Sequence, residues 1–431
     1  MSRRTVSQGL RIVEFAYAVI ALFALTQGPI IRLWRPSEAL LGSLPSPSIQ
    51  QAHFATYLAA QLPAVVLWAR RLDGSWFHER SNQALMVFLT WIGLGVTWST
   101  FARVSVSEYL SLVVTTIFGL YLASSFNLRQ FWLVLTSAMA LGVGFSWVAI
   151  MRLWDAAVNF QENYWVGIYY NRNSLAPVAA VAILGALSVA ILSVASMRQG
   201  AKAMNLLATA AAVALVIVAA IELWKSESQT SPSALVIAAA ISVAWLIIQT
   251  AIRRTSTLSR ISEFSIPLVL IVGAVVLFYA IRMEIGVAGV ESQTTAFNQR
   301  SGLWALSWAG VTEKPWHGWG WMSAWHTPLF FLASEEPTWM AWGLEWSHNG
   351  YHDILLGGGV PAGVLFVMYL AFASRSLGAL PAIAVVPRLL VVTFVLAAAT
   401  QESFFVGSHF LWALLVATLA TGLSTRQLTD E

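Results

Sequence analysis

Repeated apolar segments, each long enough to cross a lipid bilayer, constrain this chain more than any other feature. A membrane-spanning helix needs about 20 mainly apolar residues to cross about 30 Å of hydrocarbon. Of the 431 residues, 58% are hydrophobic and 10% are charged, so most of the chain is not a soluble domain. The spans are expected to be helices, because backbone polar groups inside lipid must bond to one another and no barrel-like alternation is present. The predicted spans, about twelve in number, are centred in residues 11–31, 54–69, 84–101, 109–126, 131–150, 174–195, 203–223, 232–252, 264–282, 354–374, 388–401 and 404–423.

Basic residues predict the orientation of these spans. If the N-terminus is cytoplasmic, 15 of the 24 Lys and Arg residues, Arg388 among them, lie on the cytoplasmic side and 9 on the outer side. Because cytoplasmic loops are enriched in Lys and Arg, both termini are expected to be cytoplasmic. The same bias accounts for the formal net charge of +4, which therefore gives no sign of nucleic-acid binding. The chain has no cysteine, and this excludes disulfides and thiolate chemistry.

One long polar and aromatic loop, residues 283–351, interrupts the pattern of spans. It separates residues 1–282, with nine predicted transmembrane helices, from residues 352–431, with three. A loop this long is usually functional or disordered. Nine of the 21 tryptophans lie between residues 304 and 346, and this favours a folded loop on the outer side. Some of these tryptophans would lie at the membrane interface, and others could stack on sugar rings or pack in the loop's own core.

Three polar stretches face the outer side in this topology and could converge. Arg300, in the second of them, lies on a predicted helix that ends before Pro315 and a turn at Gly318 and Gly320. Polar groups at the ends of membrane helices cost free energy unless they are paired, so they are functional candidates. The stretches are YYNRNSLAP (169–177), NQRSGLWALSWAGVTEKPWHGWGW (298–321) and EWSHNGYHDILLGGGVP (345–361).

Taken together, these stretches resemble the O-antigen ligase and O-antigen polymerase superfamily of bacterial membrane glycosyltransferases. The resemblance rests on RSGLW (300–304), KPWHGWGW (314–321) and SHNGY (347–351) at the start of a glycine-bearing helix, and on the helix count with its large outer loop. It implies an all-α, polytopic, GT-C-like fold in the cytoplasmic (inner) membrane. The chain departs from the family pattern at His352, usually an apolar position, and near Gly357, where an acidic residue is usual.

The implied reaction moves a glycan from an undecaprenyl (polyprenyl) diphosphate donor to an acceptor hydroxyl at the outer face of that membrane. The acceptor would be a glycan, a lipid such as the core of lipopolysaccharide, or a wall polymer. A ligase attaches a finished glycan to a different acceptor, and a polymerase joins repeat units. The sequence leaves both possibilities open.

This chemistry predicts roles for particular residues. It needs a group that helps to deprotonate the acceptor hydroxyl and groups that stabilise the diphosphate leaving group. The four aspartates include no Asp-x-Asp pair, so arginines are better candidates than a bound metal, and no cofactor is expected. With the resemblance, His348 is expected to act as the base, and Arg172 and Arg300 to bind the diphosphate. Further substrate-binding candidates are Arg152, Arg282, Asn173, Trp304, Asn349, Tyr351 and Glu402.

Some of these residues have alternative interpretations. Asn349 and Tyr351 could instead shape the start of the helix, and Glu402 is an alternative base. His348 and His352 are four residues apart, as in some zinc sites, but no third ligand is evident. A lipid-linked glycan flippase or transporter is the competing class of protein. Transporters often show two similar halves and polar residues in broken helices at the membrane midplane, and the sequence shows neither feature.

Overall fold

The described chain is almost entirely helical. The computed structural model describes residues 8–30, 47–152, 157–159, 163–169, 171–197, 202–253, 298–327, 346–378, 380–405, 407 and 409–420. A two-stranded antiparallel ribbon, β1 (Val158–Asn159) with β2 (Tyr164–Trp165), is the only sheet within these residues. The α-helices are α1 (Gln8–Leu25), α2 (Pro47–Ala69), α3 (Arg80–Leu94), α4 (Ala102–Ser125), α5 (Leu128–Arg152), α6 (Arg172–Met197), α7 (Lys202–Lys225), α8 (Thr230–Arg253), α9 (Asn298–Glu313), α10 (Gly350–Gly378), α11 (Ala382–Ala398) and α12 (Phe410–Leu419).

Six helices of the described chain, α4 to α8 and α10, are long and apolar enough to cross a membrane. Apolar segments in α2, α11 and α12 are 10 to 17 residues long, which is below the length of about 20 residues that a span needs. The structure therefore confirms the prediction of an all-helical chain of membrane type. The predicted span at 264–282 lies outside the described residues.

Two predicted spans near the C-terminus have different limits in the structure. Helix α11 begins at Ala382, so Arg388 lies within the helix, and its side chain is buried. Its sequence position had assigned it to the cytoplasmic side. Helix α12 begins only at Phe410, and residues 400–405 form a non-helical turn. The carbonyl groups of Ala399 and Glu402 both accept from the Gly350 amide. This shared hydrogen bond from the first residue of α10 stabilises the break after α11.

The chain divides into two compact units. The first unit comprises the described parts of residues 1–64 and 122–231. In it, α6 packs against α5 and α7, and α5 also packs against α1. Small residues permit this close packing of helices. At Gly185 of α6, for example, a Cβ atom would lie 2.8 Å from Thr136 Oγ1 of α5.

The second unit comprises the described parts of residues 65–121 and 232–429. Its best-packed pair is α3 with α10, which run antiparallel. The Trp91 indole donates to the Gly358 carbonyl at 2.7 Å, and the Phe88 and Phe366 rings are 5.8 Å apart. Aromatic side chains connect this pair to α12, where the indole of Trp412 lies 6.2 Å from the Phe366 ring.

Helix α10 is broken at Gly359, where φ is 70° and ψ is −172°. The break is filled by the tryptophan loop, defined here as residues 314–327. The Trp319 amide donates to the Leu356 carbonyl at 2.7 Å, and the Val360 amide donates to the Pro315 carbonyl at 2.7 Å. Non-helical backbone at membrane depth is tolerated only where other groups satisfy it. The KPWHGWGW and GGGVP motifs are therefore two halves of one structural contact.

Gly318 is required where the tryptophan loop meets α10. Its φ of +66° lies in the left-handed region, and a Cβ atom there would lie 2.5 Å from the Leu356 carbonyl oxygen. Left-handed backbone is unfavourable for residues with a Cβ atom. Since the nearest atoms belong to the backbone of α10, a rotamer change cannot relieve the contact.

We predict that Gly318→Ala lowers the free energy of unfolding by about 2 kcal/mol or more, through the positive φ and the collision. Gly144→Ala is the matched control, because a Cβ atom at that helical position meets nothing within 4 Å. The thermal unfolding midpoints of the purified proteins in detergent measure both effects. Equal midpoints for Gly318→Ala and Gly144→Ala would contradict this account of the loop.

Candidate active site

The side chain of Glu402 is the centre of a charged cluster in the second unit. It lies in the turn after α11, where the amides of Gln401 and Glu402 both donate to the Ala398 carbonyl. The carboxylate is 8% exposed, so it needs partners to remain ionised. Two side chains provide them. We call Arg300, His348 and Glu402 the Glu402 cluster.

Arg300 is the first partner, and α9 carries it in its first turn. Its Nη2 atom donates to Glu402 Oε1 at 2.6 Å, and its Nη1 atom donates to the Gln401 carbonyl. A guanidinium group has five N–H donors in a planar fork. Two of these donors are therefore used inside the chain, and the Arg300 side chain retains 19% exposure.

His348 is the second partner and lies just before α10. Its Nδ1 atom is 2.8 Å from Glu402 Oε2. An ionised carboxylate can only accept hydrogen bonds, so Nδ1 must be the donor. In the neutral imidazole, the lone pair is then on Nε2, and the side chain is 36% exposed. The cluster thus fixes the tautomer that a general base needs.

The backbone around His348 is strained and held on both sides. The φ angle of His348 is 49°, which is uncommon for a residue with a Cβ atom. Such strained backbone conformations are found often at functional sites. On one side, the Ser347 amide donates to Asp353 Oδ1 at 3.1 Å. On the other side, Asn349 is the N-cap of α10, because its Oδ1 atom accepts from the amides of Tyr351 and His352.

The charges of the Glu402 cluster determine the ionisation of its carboxyl group. Burial alone would raise the pKa of Glu402, but the Arg300 charge and the hydrogen bond and charge of His348 outweigh it and hold the pKa below its usual value. The negative charge of Glu402 is therefore balanced by the positive charge of Arg300, whose Nη2 atom lies 2.6 Å from Oε1.

The structure brings together residues from two of the three predicted polar stretches, and adds Glu402. The side-chain amide of Asn349 bonds to other parts of the chain, since its Nδ2 atom donates to the Thr400 carbonyl at 3.1 Å. The Tyr351 hydroxyl donates to the Leu396 carbonyl at 2.8 Å. Both residues therefore shape the start of α10, which was one of the two roles considered for them. Trp304, one turn along α9 from Arg300, is buried, with its ring 6.4 Å from that of His352.

The remaining predicted residues belong to the first unit or lie outside the described part of the chain. Arg172 begins α6 in the first unit, and its guanidinium carbon is 4.9 Å from the centre of the Tyr164 ring. Asn173 Oδ1 accepts from the Ser228 hydroxyl at 3.1 Å, also in the first unit. Arg152 is the exposed last residue of α5. Arg282 lies outside the described residues.

His348 and His352 do not form a pair on one helical face. His348 precedes α10 and has a left-handed backbone, whereas the His352 ring packs within 6.3 Å of the Trp308 ring. Since His348 is not part of the helix, the rule that residues four apart share a helical face does not apply to this pair. Among the described residues, no group of three His, Asp or Glu side chains could hold a metal ion.

The sequence alone did not reveal that Glu402 joins Arg300 to His348. The available signal was a single acidic residue between two apolar segments, since such a residue is retained near a membrane only when it is paired. Its partners are 102 and 54 residues away in the chain. No local spacing pattern can identify contacts of that range.

The chain matches none of the protein-family models and none of the curated proteins with which it was compared.

We predict that Glu402→Gln reduces stability in a pH-dependent way. The variant leaves Arg300 without its charge partner, and breaking a buried pair costs about 3 to 5 kcal/mol at neutral pH. Because the folded pKa of Glu402 is lowered, its contribution is complete above the unfolded value of about 4.3 and is lost as the pH falls further. Thermal unfolding midpoints of wild type and variant should therefore converge below about pH 4.

Glu313→Gln is the matched control, because Glu313 is an exposed carboxylate at the other end of α9. Its unfolding midpoint should follow that of the wild type at every pH. A Glu402→Gln deficit of constant size from neutral to acidic pH would contradict the charged pairing.

Proposed function

We propose that this protein is an O-antigen ligase-like membrane glycosyltransferase. It would move a glycan from an undecaprenyl (polyprenyl) diphosphate donor to an acceptor hydroxyl at the outer face of the cytoplasmic membrane. The observation that carries the proposal is the geometry of His348, whose Nδ1 faces a buried carboxylate while the ring is partly exposed. This arrangement suits proton abstraction from an alcohol.

In the proposed reaction, the acceptor oxygen attacks the anomeric carbon of the donor. Its proton passes to Nε2 of His348, and Glu402 stabilises the imidazolium that forms. The bond between the anomeric carbon and the diphosphate oxygen breaks, and its electron pair leaves with the diphosphate. No redox partner is needed.

Arg300 acts in this proposal mainly by holding Glu402, because two of its donors are already used. Its remaining N–H groups are available to the diphosphate, whose charge rises as the bond breaks. For Arg172 and Asn173, which belong to the first unit, donor binding stays a prediction from the family resemblance. The chain has no Asp-x-Asp pair, and this supports arginine in place of a carboxylate-bound metal.

The proposal includes a topology. It has about twelve spans, both termini in the cytoplasm, and the loop of residues 283–351 on the outer side, where the Glu402 cluster would lie. The six long apolar helices support a multi-pass chain. The distribution of Lys and Arg supports the orientation. The polyprenyl tail would lie in the bilayer beside the helices.

Two alternatives remain. A polymerase that joins repeat units would use the same donor chemistry and the same cluster. A flippase or transporter is favoured by one observation, the broken helix α10, since discontinuous helices often bind transported ions. However, the carbonyls at this break accept from Trp319, Gly320 and Trp91. Because donors from the protein already bond to these carbonyls, the break supports a structural role and not the binding of a transported ion.

The test is a transfer assay with the full chain in proteoliposomes and a polyprenyl-diphosphate-linked oligosaccharide. We expect release of polyprenyl diphosphate with glycan on the acceptor, unaffected by chelator. His348→Ala should slow transfer about 100-fold to 10,000-fold, the usual contribution of a general base. Arg300→Ala should also slow it. Product length distinguishes a ligase from a polymerase.

His317→Ala is the matched control, because His317 is exposed and its ring contacts Trp98 and Gly318 instead of the cluster. It should transfer at the wild-type rate. Movement of the intact donor across the bilayer without cleavage would mean a flippase. Equal losses in His317→Ala and His348→Ala would remove the catalytic role from His348.

A further inference from the structure

A second polar site lies at the opposite end of α10 from the Glu402 cluster. We propose that a cavity there, of about 670 Å³ and lined by Arg80, Arg375 and three serines, binds a phosphate group. All residues of this site, called the Arg80 cavity below, belong to the second unit. It takes no part in the proposed glycosyl transfer.

The antiparallel packing of α3 on α10 creates the Arg80 cavity. Arg80 is the first residue of α3, and Arg375 lies in the last turn of α10. Helix α10 has 29 residues, and a helix rises by about 1.5 Å per residue. The cavity and the Glu402 cluster are therefore at opposite ends of a helix long enough to cross the bilayer.

The donors around the cavity match a phosphate group. Guanidinium groups bind phosphate oxygens through paired N–H donors. The first turn of α3 adds backbone amides, since its N-cap residue, Glu79, makes no side-chain capping bond. Ser81 is 3% exposed, and its hydroxyl has no hydrogen-bond partner within the described chain. An unsatisfied buried hydroxyl calls for an explanation, and a ligand bound at this wall would supply one.

The wall of the cavity is a defined structure. Residues Gly74–His78 form a 3-10 helix, and Asp73 caps it by accepting from the amides of Ser75 and Trp76. The Asn82 side chain donates to the Trp76 carbonyl at 3.0 Å, which ties this wall to α3. The Ser75 hydroxyl also donates to Asp73 Oδ1, so this wall gives the cavity a fixed shape, and the N–H donors for a ligand come from the two arginines and the first turn of α3.

The charge of the lining also favours an anion. Two arginines face one carboxylate, that of Glu79, and His78 is the remaining titratable group. The same phosphate chemistry is offered by the headgroup of an anionic phospholipid and by a soluble phosphate. The position at the end of an apolar spanning helix, where basic residues attract anionic lipid, favours the phospholipid.

In the test, the full chain is reconstituted into phosphatidylcholine nanodiscs that contain phosphatidylglycerol. The chain is then purified, and the phosphatidylglycerol that it retains is measured. Inorganic phosphate, added in detergent while the thermal unfolding midpoint is followed, tests the soluble source. The double variant Arg80→Gln with Arg375→Gln should lower affinity at least tenfold. Arg70→Gln, at an exposed arginine outside the cavity lining, should bind as the wild type does.

Glu79→Gln gives a second test if the double variant fails to fold, because loss of the one carboxylate should tighten binding. Retention of phosphatidylglycerol that depends on the two arginines supports the lipid. Stabilisation by inorganic phosphate alone, lost in the double variant, supports a soluble phosphate compound. Binding of neither probe, or equal losses with Arg70→Gln, would overturn the proposal.

Discussion

The buried carboxylate of Glu402 is the interaction on which the proposed site depends. It bonds to Arg300 through one oxygen and to His348 through the other. An ionised group out of water is tolerated only with such partners, and removing one of them costs about 3 to 5 kcal/mol. The same bonds that stabilise the turn also leave the lone pair of His348 on Nε2. The stability of this end of the second unit and the reactivity proposed for it therefore have one physical origin.

The broken helix α10 provides the frame for this cluster. Its first turn is fixed by the Asn349 cap and by the backbone bonds of Gly350 to the turn after α11. Farther along, the tryptophan loop fills the break at Gly359. The loop follows α9 directly, so the segments that carry Arg300 and His348 are both anchored to α10. The contacts of this frame offset the cost of the left-handed backbone at His348, which is about 1 to 3 kcal/mol.

Much of this arrangement could be predicted from the sequence, for identifiable reasons. Apolar runs predicted α4 to α8 because length and hydropathy are local properties. The helix containing Arg300 and the turn at Gly318 and Gly320 were also predictable, since Pro315 and the glycines mark them. The pairing of the tryptophan loop with α10 was not predictable, because it consists of backbone hydrogen bonds, which leave no pattern of side chains in the sequence. The late start of α12 was missed because apolar residues surround the polar turn at Glu402.

The most direct test of the central claim, that Glu402 acts through His348, is a double-mutant cycle on the glycosyl-transfer rate. Wild type, His348→Ala, Glu402→Gln and the double variant are compared in proteoliposomes, with unfolding midpoints measured in parallel. We predict that Glu402→Gln slows the wild type strongly and has almost no further effect once His348 is alanine. Independent, multiplicative losses would contradict the claim, and so would a wild type that releases no polyprenyl diphosphate.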